Sequence, residues 1–186
     1  MIVLLSPAKR QRNPGEPSLL SCRPGGEPRF SELAGVLRER LRSMSEEELA
    51  STFDLSAKKA AELSRIYREP PGETAALDLF RGEAFKALLR DGIGEELCEI
   101  ADERLRILSG LYGYLRPLDL VRPYRLDPTD SVGGPEGESL YALWGDRVSR
   151  AVLEERALQD EPLLLNLASA EYGRLIDRGA CEAAGV

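Results

Sequence analysis

Leu105–Leu126, LRILSGLYGYLRPLDLVRPYRL, is the stretch on which the reading of this chain turns. Between Arg104 and Leu126 stand five arginines and one acid, Asp119, a local charge of +4 in a chain of net charge −7. Guanidinium groups beside exposed backbone N–H groups suit an anionic ligand, phosphate first. The apolar spacing that leads in, Leu97, Ile100, Leu105 and Leu108 after Gly94, predicts a helix entering a Ser109–Gly113 turn. With a further helical turn beyond it, the element reads as a helix–hairpin–helix, whose glycines let backbone N–H groups approach a nucleic-acid phosphate. Leu111 then packs inward, and Arg104, Arg106 and Arg116 supply charge. An ordinary corner with Gly110 and Gly113 as C-caps fits the same spacing, and Pro117 truncates a second helix unless it sits in its first turn.

Outward from this island, the N-terminal Ile2–Leu5 and the distant Leu163–Leu165 read as buried strands, the second a strand candidate through Leu167. Residues 11–29, QRNPGEPSLLSCRPGGEPR, form a long Pro/Gly loop. Ser31 opens a helix with Leu33, Val36, Leu37 and Leu41 on one face, and Ser45-x-x-Glu48 is a capping box for the next. Ser56 caps a third helix, stopped by Pro70-Pro71. Ala75–Phe80 reads as a strand, Phe85–Leu89 as part of a helix, and Ser139 starts a helix running through Trp144 to Val152. Without an internal repeat or a linker, residues 1–186 read as a single domain: mixed α/β, with a small mixed sheet flanked by helices.

Composition narrows the chemistry. The chain has no histidine, which excludes Ser–His–Asp and Cys–His nucleophile systems, His-ligated zinc and the His-containing iron triads. Acid–base work must then fall to Asp, Glu, Lys, Tyr or Cys. Cys22, Cys98 and Cys181 are odd in number, widely spaced and without metal-ligand spacing, and point to a reducing compartment. No run reaches membrane-spanning length and the N-terminus lacks the basic flank of a signal peptide, so the expected location is cytoplasmic, with no membrane partner.

Other polar residues stand at element ends. Ser6-Pro7-Ala8-Lys9 places a hydroxyl and an ammonium after the first strand, although a solvated strand-end turn fits it as well. Arg122-Pro123-Tyr124-Arg125 holds an Arg and a Tyr in extended backbone. Ser169-Ala170-Glu171-Tyr172 follows a strand and opens a helix, as an anion site or a simple cap. If Ser6, Lys9, Arg81, Tyr124, Arg125, Ser169, Glu171 and Tyr172 converge, they form a pocket for a small phosphorylated or nucleotide-like ligand. Lys9 and Arg125 are then anion ligands, and Lys9, Glu171 and Tyr172 the candidates for catalysis.

In order along the chain, Ser6-Pro7-Ala8-Lys9, Phe80-Arg81-Gly82, Leu105–Asp119, Pro123-Tyr124-Arg125, Leu140-Tyr141 with Trp144-Gly145-Asp146, and Asn166-Leu167-Ala168-Ser169 with Glu171-Tyr172 resemble the YaaA family of peroxide-stress proteins. The resemblance implies a bacterial cytoplasmic protein of oxidative-stress defence that limits free iron and protects DNA. It implies DNA binding, mostly to the phosphate backbone with weak sequence specificity, through a basic cleft that includes the helix–hairpin–helix. Carried onto this chain, the DNA contacts are Arg104, Arg106, Ser109, Gly110, Leu111, Tyr112, Gly113 and Arg116. It assigns no enzymatic activity, cofactor or metal, and the absence of His and of clustered Cys argues against direct iron sequestration. Two departures stand out. The family continues past the Asn166–Ser169 segment into further strands and a basic block, so the chain is expected to be C-terminally truncated relative to it. Leu126-Asp127-Pro128 also departs from the family's loop.

Overall fold

In the computed structural model, which describes residues 1–13 and 15–186, β1 (Ile2–Leu5) leads through a long loop to α1 (Ser31–Ser43), α2 (Glu46–Phe53) and α3 (Ala57–Arg68). Then come β2 (Thr74–Ala75), α4 (Ala76–Leu79), α5 (Glu83–Leu88), α6 (Glu95–Arg104), β3 (Leu105–Ser109), β4 (Gly113–Leu115) and β5 (Leu120–Val121). The chain continues with α7 (Leu140–Trp144), α8 (Arg147–Leu153), α9 (Arg156–Asp160), β6 (Leu164–Asn166), α10 (Ala170–Gly173) and α11 (Arg178–Ala183). A four-stranded mixed sheet has the order β4-β3-β1-β6, with β1 parallel to both β3 and β6 and β4 antiparallel to β3. β2 and β5 make a separate antiparallel ribbon. The mixed α/β class expected from the sequence is the one observed, and no helix among the described residues is long and apolar enough to cross a membrane.

β1 is an uninterrupted aliphatic run because it lies inside the sheet, with Ile2 and Leu4 fully buried on one face. Register places Val3 beside Leu105 and Leu165, and Leu5 beside Ile107, on the opposite face. Burial on that face declines across the sheet. Leu105 and Ile107 of β3 are buried and Val3 and Leu5 half-buried, while Leu163, Leu165 and Leu167 along β6 are 50%, 44% and 58% exposed. The side chains of α2 begin on the expected capping box: Glu48 N donates to Ser45 Oγ and Ser45 N to Glu48 Oε2.

Three local expectations are corrected. The helix expected to run into Ser109 ends at Arg104, and Leu105–Ser109 is a strand, so the helix–hairpin–helix is a β-hairpin. Leu97 and Ile100 do lie on α6, and Leu105 and Leu108 of β3 continue its helical spacing by coincidence. All five residues of β3 are buried because both faces of the strand are covered, and Gly113, at φ 70°, makes the return. Ala75–Phe80 is only briefly a strand before turning into α4, because Ala76 N and Leu77 N donate to Asp119 O and Pro117 O. The helix from Ser139 breaks at Gly145, where φ is 39°, into α7 and α8.

Two buried charges organise the packing. Arg106 is 1% exposed on β3 and is gripped by Glu155, Nε to Oε1 at 2.9 Å and Nη2 to Oε2 at 2.7 Å, while Tyr114 donates to the same Oε1 at 2.9 Å. Asp78, at 0% exposure, accepts from Arg12 Nη1 at 2.9 Å, Arg81 Nη2 at 3.3 Å and Leu19 N at 3.3 Å, which pins both ends of the first half of the long loop. The thiols also differ from expectation. Cys22 of the loop is joined to Cys98 of α6, their Cα atoms 6.3 Å apart, and Cys181 is left as a free, buried thiol. A count and a spacing cannot show that residues 76 apart meet.

The two kinds of ion pair should separate in urea unfolding. Glu155→Ala leaves the Arg106 guanidinium buried without its carboxylate and should cost about 3–5 kcal/mol. Arg116→Ala, which removes a half-exposed partner of Asp102, should cost less than about 1 kcal/mol.

Candidate functional site

The loops that leave β1 and β6 at their carboxyl ends lie side by side, the position where open parallel sheets commonly hold ligands. Ser6, directly after β1, meets Ser169, which stands just before α10: Ser169 N donates to Ser6 Oγ at 2.8 Å, and Ser6 Oγ to Ser169 Oγ at 3.2 Å. This contact occupies the hydroxyl expected to cap α10, which makes no side-chain cap. Gly82 packs here too, since a Cβ there would meet Ala8 Cβ at 2.9 Å.

The third wall is Tyr124–Asp127, and side chains hold its backbone on two sides. Gln11 Nε2 donates to Tyr124 O at 2.7 Å while Tyr124 N donates to Gln11 Oε1 at 3.1 Å, so the amide imitates a strand neighbour. Tyr67 does the same with its hydroxyl, donating to Arg125 O at 2.6 Å and accepting from Arg125 N at 3.0 Å. The Arg125 guanidinium donates from Nη2 to Phe53 O at 3.2 Å and lies 5.6 Å from the Phe53 ring centroid, and its buried Nε has no hydrogen-bond partner among the described residues.

Asp127 closes the arrangement. Its Oδ1 accepts from Tyr172 OH at 2.5 Å, and Lys9 Nζ lies 3.4 Å from its Oδ2. Burial, then the neighbouring Asp127 charge, holds the Tyr172 phenol protonated far above the ordinary tyrosine range. Asp127 N in turn donates to Asp130 Oδ2 at 2.6 Å, and burial outweighs that bond to push the Asp130 carboxyl up to about 6. The Glu171 carboxylate accepts from Thr129 Oγ1 at 2.9 Å.

Gln11, Leu126 and Asp127 line one cavity of about 290 Å³. Of the eight residues expected to form a ligand pocket, Ser6, Lys9, Tyr124, Arg125, Ser169, Glu171 and Tyr172 line it. Arg81 does not: its guanidinium is consumed by Asp78 O at 2.6 Å and by the Asp78 carboxylate, and Phe80 faces the cavity instead. Sequence reasoning missed Gln11 and Asp127, whose roles rest on partners far along the chain. The departure at Leu126-Asp127-Pro128 was the one visible signal for Asp127. A second cavity of about 430 Å³ adjoins, sharing Lys9, Gln11, Tyr124 and Arg125 and adding Lys59 and Arg65 over apolar Leu55, Leu63 and Ile66.

The expected DNA grip is not built for contact. Ser109 and Leu111 are 0% exposed and Tyr112 is 7% exposed. Ser109 Oγ accepts from Leu111 N at 3.2 Å and Tyr112 N at 3.0 Å, and it shares a hydrogen bond with Tyr124 OH at 2.7 Å. Gly110 sits so close to the Leu126 carbonyl that a Cβ would overlap it, and Gly110 O accepts from Trp144 Nε1 at 2.9 Å. Gly113 packs on Trp144 and Val148. The glycines serve close packing, not a phosphate. Arg106 is buried, and Arg104 and Arg116, which reach the surface, pair with Glu161 at 3.3 Å and Asp102 at 2.8 Å.

Residues 1–186 match the family described as peroxide stress protein YaaA. The chain belongs to the YaaA family. A curated relative, a UPF0246 protein of Tolumonas auensis, is 34% identical over 183 residues, covering 95% of this chain and 69% of the relative. Within this YaaA-family chain the polar groups at the strand ends converge, and the glycine hairpin supports them from behind.

Two carboxyls outside the cavity lining make stability depend on acidity, Asp119 beside Arg116 and Asp130 behind Asp127. Asp119, 2% exposed, and Asp130 are both pushed up to about 6, chiefly by burial. Carboxyls raised above their unfolded value bind protons in the folded state first, so their contribution grows as pH falls through 6 and is lost as pH rises through it. With no histidine to oppose them, the thermal midpoint should rise from pH 7.5 to pH 5.5. Asp130→Asn should flatten that rise in a differential scanning series.

Proposed function

We propose that this YaaA-family chain serves the peroxide-stress response by binding a small phosphorylated, nucleotide-like ligand in the cleft between the Ser6–Lys9 loop and Tyr124–Asp127. The observation that carries the reading is convergence: polar residues from three separate stretches line one cavity. Lys9, whose side chain is 72% exposed and only loosely engaged by Asp127 at 3.4 Å, is available to a phosphate. Arg125 adds a guanidinium, and Ser6 and Ser169 add hydroxyls on the wall opposite. The adjoining apolar shelf of Leu55, Leu63 and Ile66 suits a base or another flat apolar group.

Isothermal titration calorimetry with ATP, AMP and inorganic phosphate tests this. A nucleotide should bind, and Lys9→Ala should weaken it by roughly tenfold, the loss of one charge-assisted hydrogen bond. Absence of binding by all three probes, or nucleotide affinity unchanged from the unsubstituted chain in both Lys9→Ala and Ser6→Ala, overturns the reading.

DNA binding is the second reading, and the basic rim of the adjoining cavity favours it: Lys59 and Arg65 are both exposed there. Phosphate contacts of this kind release counterions, so affinity for an oligonucleotide should fall steeply with salt. Lys59→Ala and Arg65→Ala should each reduce the salt slope by about one. Under this reading a limit on free iron is indirect, as no cluster of three or more His, Cys, Asp or Glu among the described residues is arranged to hold a metal.

A further inference from the structure

We infer that Cys22 and Cys98 are a peroxide-responsive dithiol whose oxidation fastens the 11–29 loop to α6. Three observations carry this. First, the pair is in reach by backbone placement: the Cα atoms lie 6.3 Å apart, within the span a disulfide bridges. That placement does not depend on the sulfur–sulfur bond. Ser21 N donates to Ile93 O at 3.0 Å and Ile93 N to Leu19 O at 3.1 Å, so main-chain bonds next to Cys22 and just before α6 keep the two thiols facing each other when reduced.

Second, the two sulfurs are unequal. Cys98 is 0% exposed, whereas Cys22 is half-buried on the loop, so Cys22 is the one that a small oxidant from solvent meets. The remaining thiol, Cys181, is 6% exposed, and burial together with Asp177 and Glu182 holds it protonated and poorly reactive. Third, the fastened loop is continuous with functional surface. Its first residues, Gln11 to Asn13, line the cavity beside Arg125, and further along Gly25 and Gly26 bond to Leu118 and Leu120.

The chemistry closes with a hydroperoxide as the only co-reactant. The Cys22 thiolate attacks the peroxide oxygen and the O–O bond breaks. The leaving alkoxide or hydroxide takes up the proton that Cys22 released, giving an alcohol or water and Cys22 sulfenic acid. The Cys98 thiolate then attacks the Cys22 sulfur, and the expelled hydroxide leaves as water with the Cys98 proton. Two thiols are oxidised by two electrons in all, and one hydroperoxide is reduced.

The test uses the full chain, reduced with dithiothreitol, freed of reductant and treated with hydrogen peroxide. Thiols are then blocked with N-ethylmaleimide under denaturing conditions, followed by peptide mapping. The expected result is a Cys22–Cys98 linked peptide, with Cys181 still alkylated. The thermal midpoint should rise by roughly 10 °C, as expected for closing a loop of this length, and fall back with dithiothreitol. Cys98→Ser should instead accumulate a dimedone-reactive sulfenic acid at Cys22 with no rise in midpoint. Unmodified Cys22 after peroxide treatment, linkage through Cys181, or a midpoint that does not move on oxidation overturns the inference. The redox readout does not depend on any ligand in the cleft, so it stands or fails apart from the binding proposal.

Discussion

The hydroxyl of Ser109 is fully buried, where it accepts two backbone N–H groups of its own turn and meets the phenol of Tyr124 at 2.7 Å. An unsatisfied turn amide at that depth would be costly. The Ser109 side chain removes the cost and ties the β-hairpin to a strand of loop 15 residues later. Gly110, pressed against the Leu126 carbonyl, and Trp144, donating to Gly110 O, complete the clamp. This clamp anchors the start of the Tyr124–Asp127 wall, which Gln11 and Tyr67 then hold along its backbone.

The remaining walls come from the sheet. Adjacent parallel strands β1 and β6 end together, so Ser6 and Ser169 meet without any local signal requiring it. Lys9 and Tyr172 then approach Asp127 from opposite ends of the chain. The site therefore pairs an enclosed carboxylate with an exposed cation: the Asp127 side chain is 14% exposed and the Lys9 side chain 72%. The electrostatic balance is close, because Asp127, Asp130 and Glu171 stand among Lys9 and Arg125. An anion entering must displace or complement carboxylates already present.

Much of this was legible in the residues. The apolar runs at Ile2–Leu5 and Leu163–Leu167 mark strands, although the second is not the buried strand expected, with Leu163, Leu165 and Leu167 standing 44–58% exposed. Ser45-x-x-Glu48 marks a helix start, and Ser6, Lys9 and Ser169 were recognisable as polar groups at strand ends. The hairpin was not, for a definite reason. Alternation across Leu105–Ser109 requires Arg106 to be buried, and a buried arginine is credible only once Glu155, 49 residues away, is known to face it. Gln11 and the Cys22–Cys98 pair were hidden by the same limit, since their partners lie 113 and 76 residues distant. Arg81 failed in the opposite direction. Its motif was visible, but a fully buried Asp78 claims it, and nothing local announces that Asp78 turns inward.

The falling burial across one sheet face carries a consequence for the protein as a colloid. β6 bears neither charge nor proline, and the leucines flanking and within it, 163, 165 and 167, stand 44–58% exposed. Edge strands elsewhere are guarded by lysine, proline or a covering element. Here the guard is long-range repulsion from a net charge of −7. Near the isoelectric point of about 4.9 that repulsion disappears, and the leucine row becomes the surface on which copies of the chain first adhere.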